Sequence, residues 1–226
     1  MMRRNKKRVD QDTRHRLLEV AGQVFAEKGV AGATGKEICG RAKANVAAIN
    51  YHFRSLDGLY RDVLREAMRR MPGLDEIRAA LGIEKEPRAM LKAAIDLMVR
   101  AITNPVSDSW PMQVIGRETL NPSPAFVVLK DRKIRPRMLL FRGVLAEIMK
   151  LPASHPAVER SCVSVMAPCW VLLLGHRSQL KRAFPKFGYA RKDAGAISEH
   201  LLLFTLGGLA AAAAQARERG TSRLHA

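Results

Sequence analysis

The chain has 226 residues, 47% of them hydrophobic and only 5% aromatic, and carries 39 Lys/Arg against 21 Asp/Glu, a formal net charge of +18. That length suits one small module plus one larger domain. The excess of cations favours a polyanionic partner, because Lys and Arg gain affinity by releasing counterions from phosphates.

Residues 1–11 form a basic arm, MMRRNKKR followed by Val9, Asp10 and Gln11. Charged residues stand where a secretory signal would have its apolar core, so export is not expected. The arm reads as a solvated tail, with insertion into a minor groove as the alternative. A first helix covers 13–29, in which Leu17, Leu18, Ala21, Val24 and Phe25 make a wide apolar face and Gly29 stops it. Thr34 with Glu37 three residues on is a capping box, opening a second, short helix with Ile38 and Ala42 on its inner face. Asn45 offers an N-cap to a third helix from Val46 to Tyr51, whose outward residues are small and uncharged. Such a helix sinks into the roughly 12 Å major groove, where Ala and Val methyls meet thymine methyls and Asn bonds adenine bidentately. Ser55 caps a fourth helix with Leu59, Val63 and Ala67 inward, ending near the break at Met71-Pro72-Gly73. Two short helices around a tight turn, flanked by longer ones, outline a helix-turn-helix DNA reader.

The segment from about residue 10 to 70 resembles the DNA-binding domain of the tetracycline-repressor (TetR) family. The likeness rests on TRHRLLEVAGQVFAEKG at 13–29, the helix ending in Ala42, and Tyr51-His52-Phe53 followed by Asp57, Gly58, Leu59 and Tyr60. Three positions depart from the pattern: Lys43-Ala44 replaces the usual Gly-Val of the turn, Ala47 the usual Gly, and Leu56 the usual Lys. The resemblance implies that Thr34, Lys36 and Lys43 sit on phosphates and that Asn45, Val46, Ala48 and Asn50 face bases. Tyr51 would press on the backbone, and Arg54 would stand in for the missing Lys.

Beyond residue 72 the pattern stays helical, without alternating strand-like runs, so the fold class is all-α: a helix-turn-helix domain over 1–72 and a larger helical domain over 73–226. Glu86-Pro87 opens a helix with Leu91, Ile95, Met98 and Ile102 as its seam, closed by Asn104-Pro105. The next helix is expected over Ser109–Leu120 with Trp110, Val114 and Ile115 inward, then a turn at Asn121–Pro124. Residues 125–151 are helical by period, kinked or divided by Pro136. A long helix is expected over Val158–Phe184 with Pro168 inside it, and the last over Asp193–Arg219. The longest uncharged runs, Cys162–Gly175 and Leu201–Ala216, fall short of the roughly 20 apolar residues of a spanning helix, so no membrane segment is expected. Cys39, Cys162 and Cys169 are odd in number and lack C-x-x-C spacing, which points to a reducing, cytoplasmic setting without disulfides or a structural metal.

RETLNPSPAF at 117–126, Pro136 and CVSVMAPCW at 162–170 resemble the effector domain of the multidrug-type subgroup of the same family, whose head also carries NVAAINYHF as at 45–53. By implication this domain binds a small-molecule effector and dimerises through the last two long helices, the final one rich in small residues at Gly207, Gly208 and the Ala run. Trp110, Met112, Phe126, Phe141, Met166, Cys169 and Trp170 are the candidate pocket lining, with Arg117, Glu118 and His176 as polar anchors. No nucleophile elbow, zinc-helix motif or phosphate loop is present, so neither catalysis nor a cofactor is expected. The expected function is a ligand-responsive, homodimeric repressor on a palindromic double-stranded operator, controlling a transporter or efflux operon. An activator, or a cationic helical protein binding acidic partners or a membrane surface through the arm and the 130–142 and 177–192 clusters, stays open beside it.

Overall fold

The computed structural model describes residues 2–71, 86–175 and 177–222, and among these every regular element is a helix. In chain order they are α1 (Met2–Gly32), α2 (Gly35–Arg41), α3 (Ala47–Phe53), α4 (Leu56–Arg70), α5 (Pro87–Thr103), α6 (Val106–Leu120), α7 (Pro124–Met149), α8 (Pro156–Leu174), α9 (Arg177–Ala183) and α10 (Ala194–Ser222), with a 3-10 turn at Arg191–Asp193 before the last. Residues 2–11 of the basic arm are helical and belong to α1. Gly29, at φ 71 and ψ 176, breaks α1 where the sequence expects its stop, in a conformation that costs other residues more than glycine.

Local chemistry sets most other boundaries. The Thr34 and Ser55 side chains accept from the Glu37 and Gly58 amides, so α2 and α4 begin as expected. Pro87 opens α5, and Asn104 closes it in an extended conformation before Pro105. Pro168 lies inside its helix as expected, Pro111 also lies within one, and of the two alternatives for Pro136 division is excluded, since 124–149 is one helix. The helix expected over 158–184 instead stops at Gly175, where the chain turns extended (φ −66, ψ 150), and α9 is separate.

By packing, the chain divides into two compact units, one of Met1–Met71 with Pro105–Leu129 and the other of Pro72–Asn104 with Lys130–Ala226. The first unit therefore includes α6, which a division at residue 72 assigns to the second domain. The reason is burial: Trp110, Val114 and Ile115 of α6 are inaccessible, and α6 packs on α1 and α4, whose own core residues include Leu17, Phe25, Leu59 and Leu64. The second unit has its own core, built from Leu91, Ile95 and Val99 of α5, Leu145 and Met149 of α7, Val158 and Cys162 of α8, and Ile197 and Leu209 of α10.

Candidate nucleic-acid interface

The turn between α2 and α3 is closed by backbone bonds from Ala42 to Ile38 (2.9 Å) and from Ala44 to Cys39 (2.9 Å). The Arg16 guanidinium donates to the Ala42 carbonyl at 2.8 Å and ties the turn to α1. Lys43 has φ 50, a left-handed conformation that explains why a glycine is usual there. The Glu37 carboxylate does not complete the capping box; it turns to Lys28 and Arg41, each at 2.8 Å, and Arg41 also reaches Glu27. The hydrogen bond from Lys28 is the main reason that Glu37 sits below the usual carboxylate range. Lys28 and Arg41 are thus committed to carboxylates. Lys36, Lys43 and Arg54 are exposed and have no carboxylate partner among the described residues.

Helix α3 starts at Ala47, one residue later than expected, so Val46 and not Asn45 holds the N-cap position, without a side-chain cap; Asn45 Oδ1 still accepts from the Ala47 amide at 2.9 Å. Ile49 and Phe53 turn inward, while Val46 (58% exposed), Ala47, Asn50 and Tyr51 (72% exposed) face solvent. At 100° per residue these four positions share one face. Ala48 is half-buried, so Ala47 takes the exposed place that the sequence reading gave to Ala48. The helical spacing from Val46 and Asn50 was the signal that could have found it. The Tyr51 hydroxyl donates to Asp10 at 3.3 Å, and Arg54 ends the helix at φ 69. Thr34, whose hydroxyl oxygen accepts from the Glu37 amide, is also exposed.

This face is held by contacts that no short sequence window shows. Arg14 lies over the Phe53 ring at 4.9 Å and pairs with Asp62 of α4 at 2.5 Å. Gly58 lets the first turn of α4 approach the end of α3, since a Cβ there would collide with the Phe53 carbonyl. Glu66 pairs with Arg69 and Arg70, which lower its pKa to about 2.

The candidate effector residues are divided between the units. Trp110 is fully buried in the first unit against Gly22 of α1, where its indole N–H donates to Glu19 at 3.2 Å and Arg70 covers its ring at 5.0 Å. Arg117 donates to the Ala26 and Glu27 carbonyls at 2.8 and 3.0 Å, just before the break of α1 at Gly29. Glu118 accepts from the Tyr60 hydroxyl and from Ser123. Burial, then the bond to Glu118, drives the Tyr60 pKa far up, so the phenol is the donor. Phe126 is buried and Met112 half-buried in the same unit. In the second unit Phe141 packs on the core, and Met166 and Trp170 are half-buried on α8. Cys169 borders a cleft of about 200 Å³ with Ile95, Val165, Pro168, Leu201 and Phe204. His176 lies outside the described residues. Tertiary burial thus gives Trp110 and Arg117 structural partners within the first unit, which their residue types alone do not reveal.

A family model described as "Bacterial regulatory proteins, tetR family" matches residues 17–63, and one described as "HTH-type transcriptional dual regulator CecR, C-terminal domain" matches residues 87–209, more than half of the chain. No curated protein matches the chain. Among solved structures, the ketosteroid transcriptional regulator KstR2 of Mycobacterium tuberculosis aligns at TM-score 0.63 and 20% identity, covering 86% of this chain and 93% of its own. The fatty acid degradation regulator FadR from Bacillus halodurans aligns at TM-score 0.57 and 17% identity, covering 87% and 96%. The hemolysin II transcriptional regulator HlyIIR aligns at 0.56 and 16%, covering 85% and 98%. At such identities these structures speak for the fold alone, but the two family models, together with the turn and exposed face of α3, show that the chain is a DNA-binding transcription regulator of the TetR family with a CecR-type C-terminal domain.

Proposed function

We propose that the protein is a ligand-responsive repressor that reads a palindromic operator as a homodimer. In this reading residues 1–72 bind DNA, and residues 73–226 bind the effector and the second copy. The observation that carries the reading is the solvent face of α3. Val46, Ala47, Asn50 and Tyr51 offer methyls, an amide and a ring to base edges and sugar, and the uncommitted Lys36, Lys43 and Arg54 flank them for phosphates. Dimerisation is supported by the apolar surface of α8 and α10. Val163, Val171, Leu203 and Phe204 are exposed there, Phe204 by 75%, and Gly207 and Gly208 leave open space for another backbone. Both helices are long and apolar enough to cross a membrane by length and mean hydropathy, yet they also supply the core of the second unit. A second copy on their outer face would remove that surface from water.

Two heads would then engage two half-sites about one duplex turn, roughly 34 Å, apart. An effector releases the operator only through a higher affinity for a head spacing that cannot span both half-sites. The CecR-type domain supports the effector, and the family likeness supports a transporter or efflux operon as the target. The namesake of that domain is a dual regulator, which favours activation at some promoters as a second reading.

Selection of bound fragments from genomic DNA, followed by titration against excess competitor, tests the central claim. The expected result is one symmetric motif whose complex survives competitor. A complex that any polyanion abolishes would instead support a general cationic binder. On the selected operator, Asn50→Ala or Tyr51→Ala costs at least about 1 kcal/mol. Sedimentation at micromolar concentration gives a dimer that Phe204→Glu dissociates, and a monomeric wild type contradicts the palindrome.

A further inference from the structure

Glu118 is 3% exposed, and Tyr60 is 7% exposed. A carboxylate buried this far is tolerated only where donors surround it. Three do: the Tyr60 hydroxyl, the Ser123 backbone N–H at 2.8 Å and the Ser123 hydroxyl at 2.9 Å. The neighbouring Arg117 is directed to the carbonyls of α1 instead. Ser123 in turn caps α7, its hydroxyl oxygen accepting from the Phe126 amide at 3.3 Å. One side chain therefore joins the end of α6, the start of α7 and the first turns of α4.

The α4 end of this junction lies next to the DNA-reading helix. Tyr60 follows Gly58 by two residues, and Gly58 is the point where α4 meets the carbonyl of Phe53, the last residue of α3. Tyr60 is also fixed laterally, its ring edge-on to Phe25 of α1 at 4.9 Å. A shift of the first turn of α4 must move Phe53 or break this close approach. Trp110 and Arg117 bond α6 to α1 through Glu19 and the Ala26 carbonyl, and Trp110 also meets Arg70 at the far end of α4. Glu118 is the α6 residue bonded to α4 at the end near α3.

We propose that Glu118 is a positioning residue for sequence reading: by bonding the Tyr60 hydroxyl it fixes the first turns of α4 and, through the Gly58–Phe53 contact, the orientation of α3. It touches no DNA. The inference rests on the reading that the exposed face of α3 meets base edges. Without the pin the head spends less time in the reading geometry, and apparent operator affinity falls by that fraction. Binding through Lys36, Lys43 and Arg54 is less sensitive, because phosphates recur along any duplex. The signature is a lost preference for operator over random duplex, whereas a fall in the folded fraction lowers both affinities together.

The test uses the full-length protein, the selected operator and a random-sequence duplex of equal length at matched salt. Tyr60→Phe keeps the ring and removes only the hydroxyl. It is expected to weaken operator binding about tenfold and random-duplex binding less than about threefold, the scale of one hydrogen bond to a charged group. Glu118→Gln, which keeps one acceptor oxygen, should lose less. The double variant Tyr60→Phe/Glu118→Gln should lose less than the sum of the two single losses, since the Tyr60 bond is counted in both, whereas the Ser123 bonds are touched only by Glu118→Gln. An unchanged operator-to-random ratio in Tyr60→Phe overturns the proposal, as do additive losses in the double variant. If Glu118→Gln fails to fold by circular dichroism, Tyr60→Phe decides alone. A wild type without operator preference is a separate outcome that removes the reading face and the pin with it.

Discussion

Replacing Trp110 by Ala separates two roles that its residue type leaves open. As part of a ligand pocket, the indole could be lost with little change in stability and a large change in effector response. As placed here, it is fully buried against Gly22, donates to Glu19 and lies under Arg70. Truncating a buried Trp costs about 3–5 kcal/mol. The lost indole hydrogen bond adds about 1 kcal/mol and the ring-to-guanidinium contact about 0.5 kcal/mol. The expected loss is thus about 4.5–6.5 kcal/mol, a large part of the stability of an ordinary domain. Urea denaturation followed by far-UV circular dichroism measures it, and hydrogen exchange at the α1 amides shows that the loss falls in the first unit. A shift under about 1.5 kcal/mol, below the range for a buried aromatic, would refute the packing argument. Gly22→Ala probes the same contact from the other side, since its Cβ would lie 2.5 Å from the indole. Its loss, about 1–3 kcal/mol, should shrink when Trp110 is replaced by Leu in the same chain.

Lys43→Gly relieves the left-handed backbone at φ 50 and is expected to stabilise by about 1 kcal/mol in thermal denaturation. The same variant should lower the salt slope of operator binding by about 1, and an unchanged slope removes Lys43 from the phosphate contacts. Gly58→Ala should destabilise by about 2–3 kcal/mol despite the better helix propensity of Ala, because its Cβ meets the Phe53 carbonyl; a gain in the melting midpoint contradicts the close approach. Glu66 has a folded pKa of about 2 against the usual 4.5, so the stability it contributes is present above pH 4.5 and is lost as pH falls towards 2. Urea midpoints across that window should depend less on pH in Glu66→Gln, and parallel curves for the two proteins would exclude the Arg69 and Arg70 pairing.

The DNA-binding half was legible because its signals are short-range. Thr34, Asn45 and Ser55 each satisfy an amide two or three residues away, and Gly29 ends a helix through its own backbone. The departure at Lys43, seen as a missing glycine, reappears as a positive φ. The differences there are small and also local: α3 starts at Ala47 rather than Val46, and Ala47 is exposed beside a half-buried Ala48. In the second half, proline was the weaker breaker. Pro136 and Pro168 stay inside helices, whereas Gly175 ends one.

The sequence by itself determined the all-α class, the helix-turn-helix and most of its caps, because periodicity and capping act within one or two turns of the chain. Only the tertiary structure decided which partners Trp110, Arg117 and Glu118 take. Their partners Glu19, Ala26 and Tyr60 lie 91, 91 and 58 residues away, and a Trp reads the same whether it faces a ligand or a glycine on another helix. Which apolar surface meets which is a property of the packed fold, and here it places α6 in the same compact unit as the helix-turn-helix.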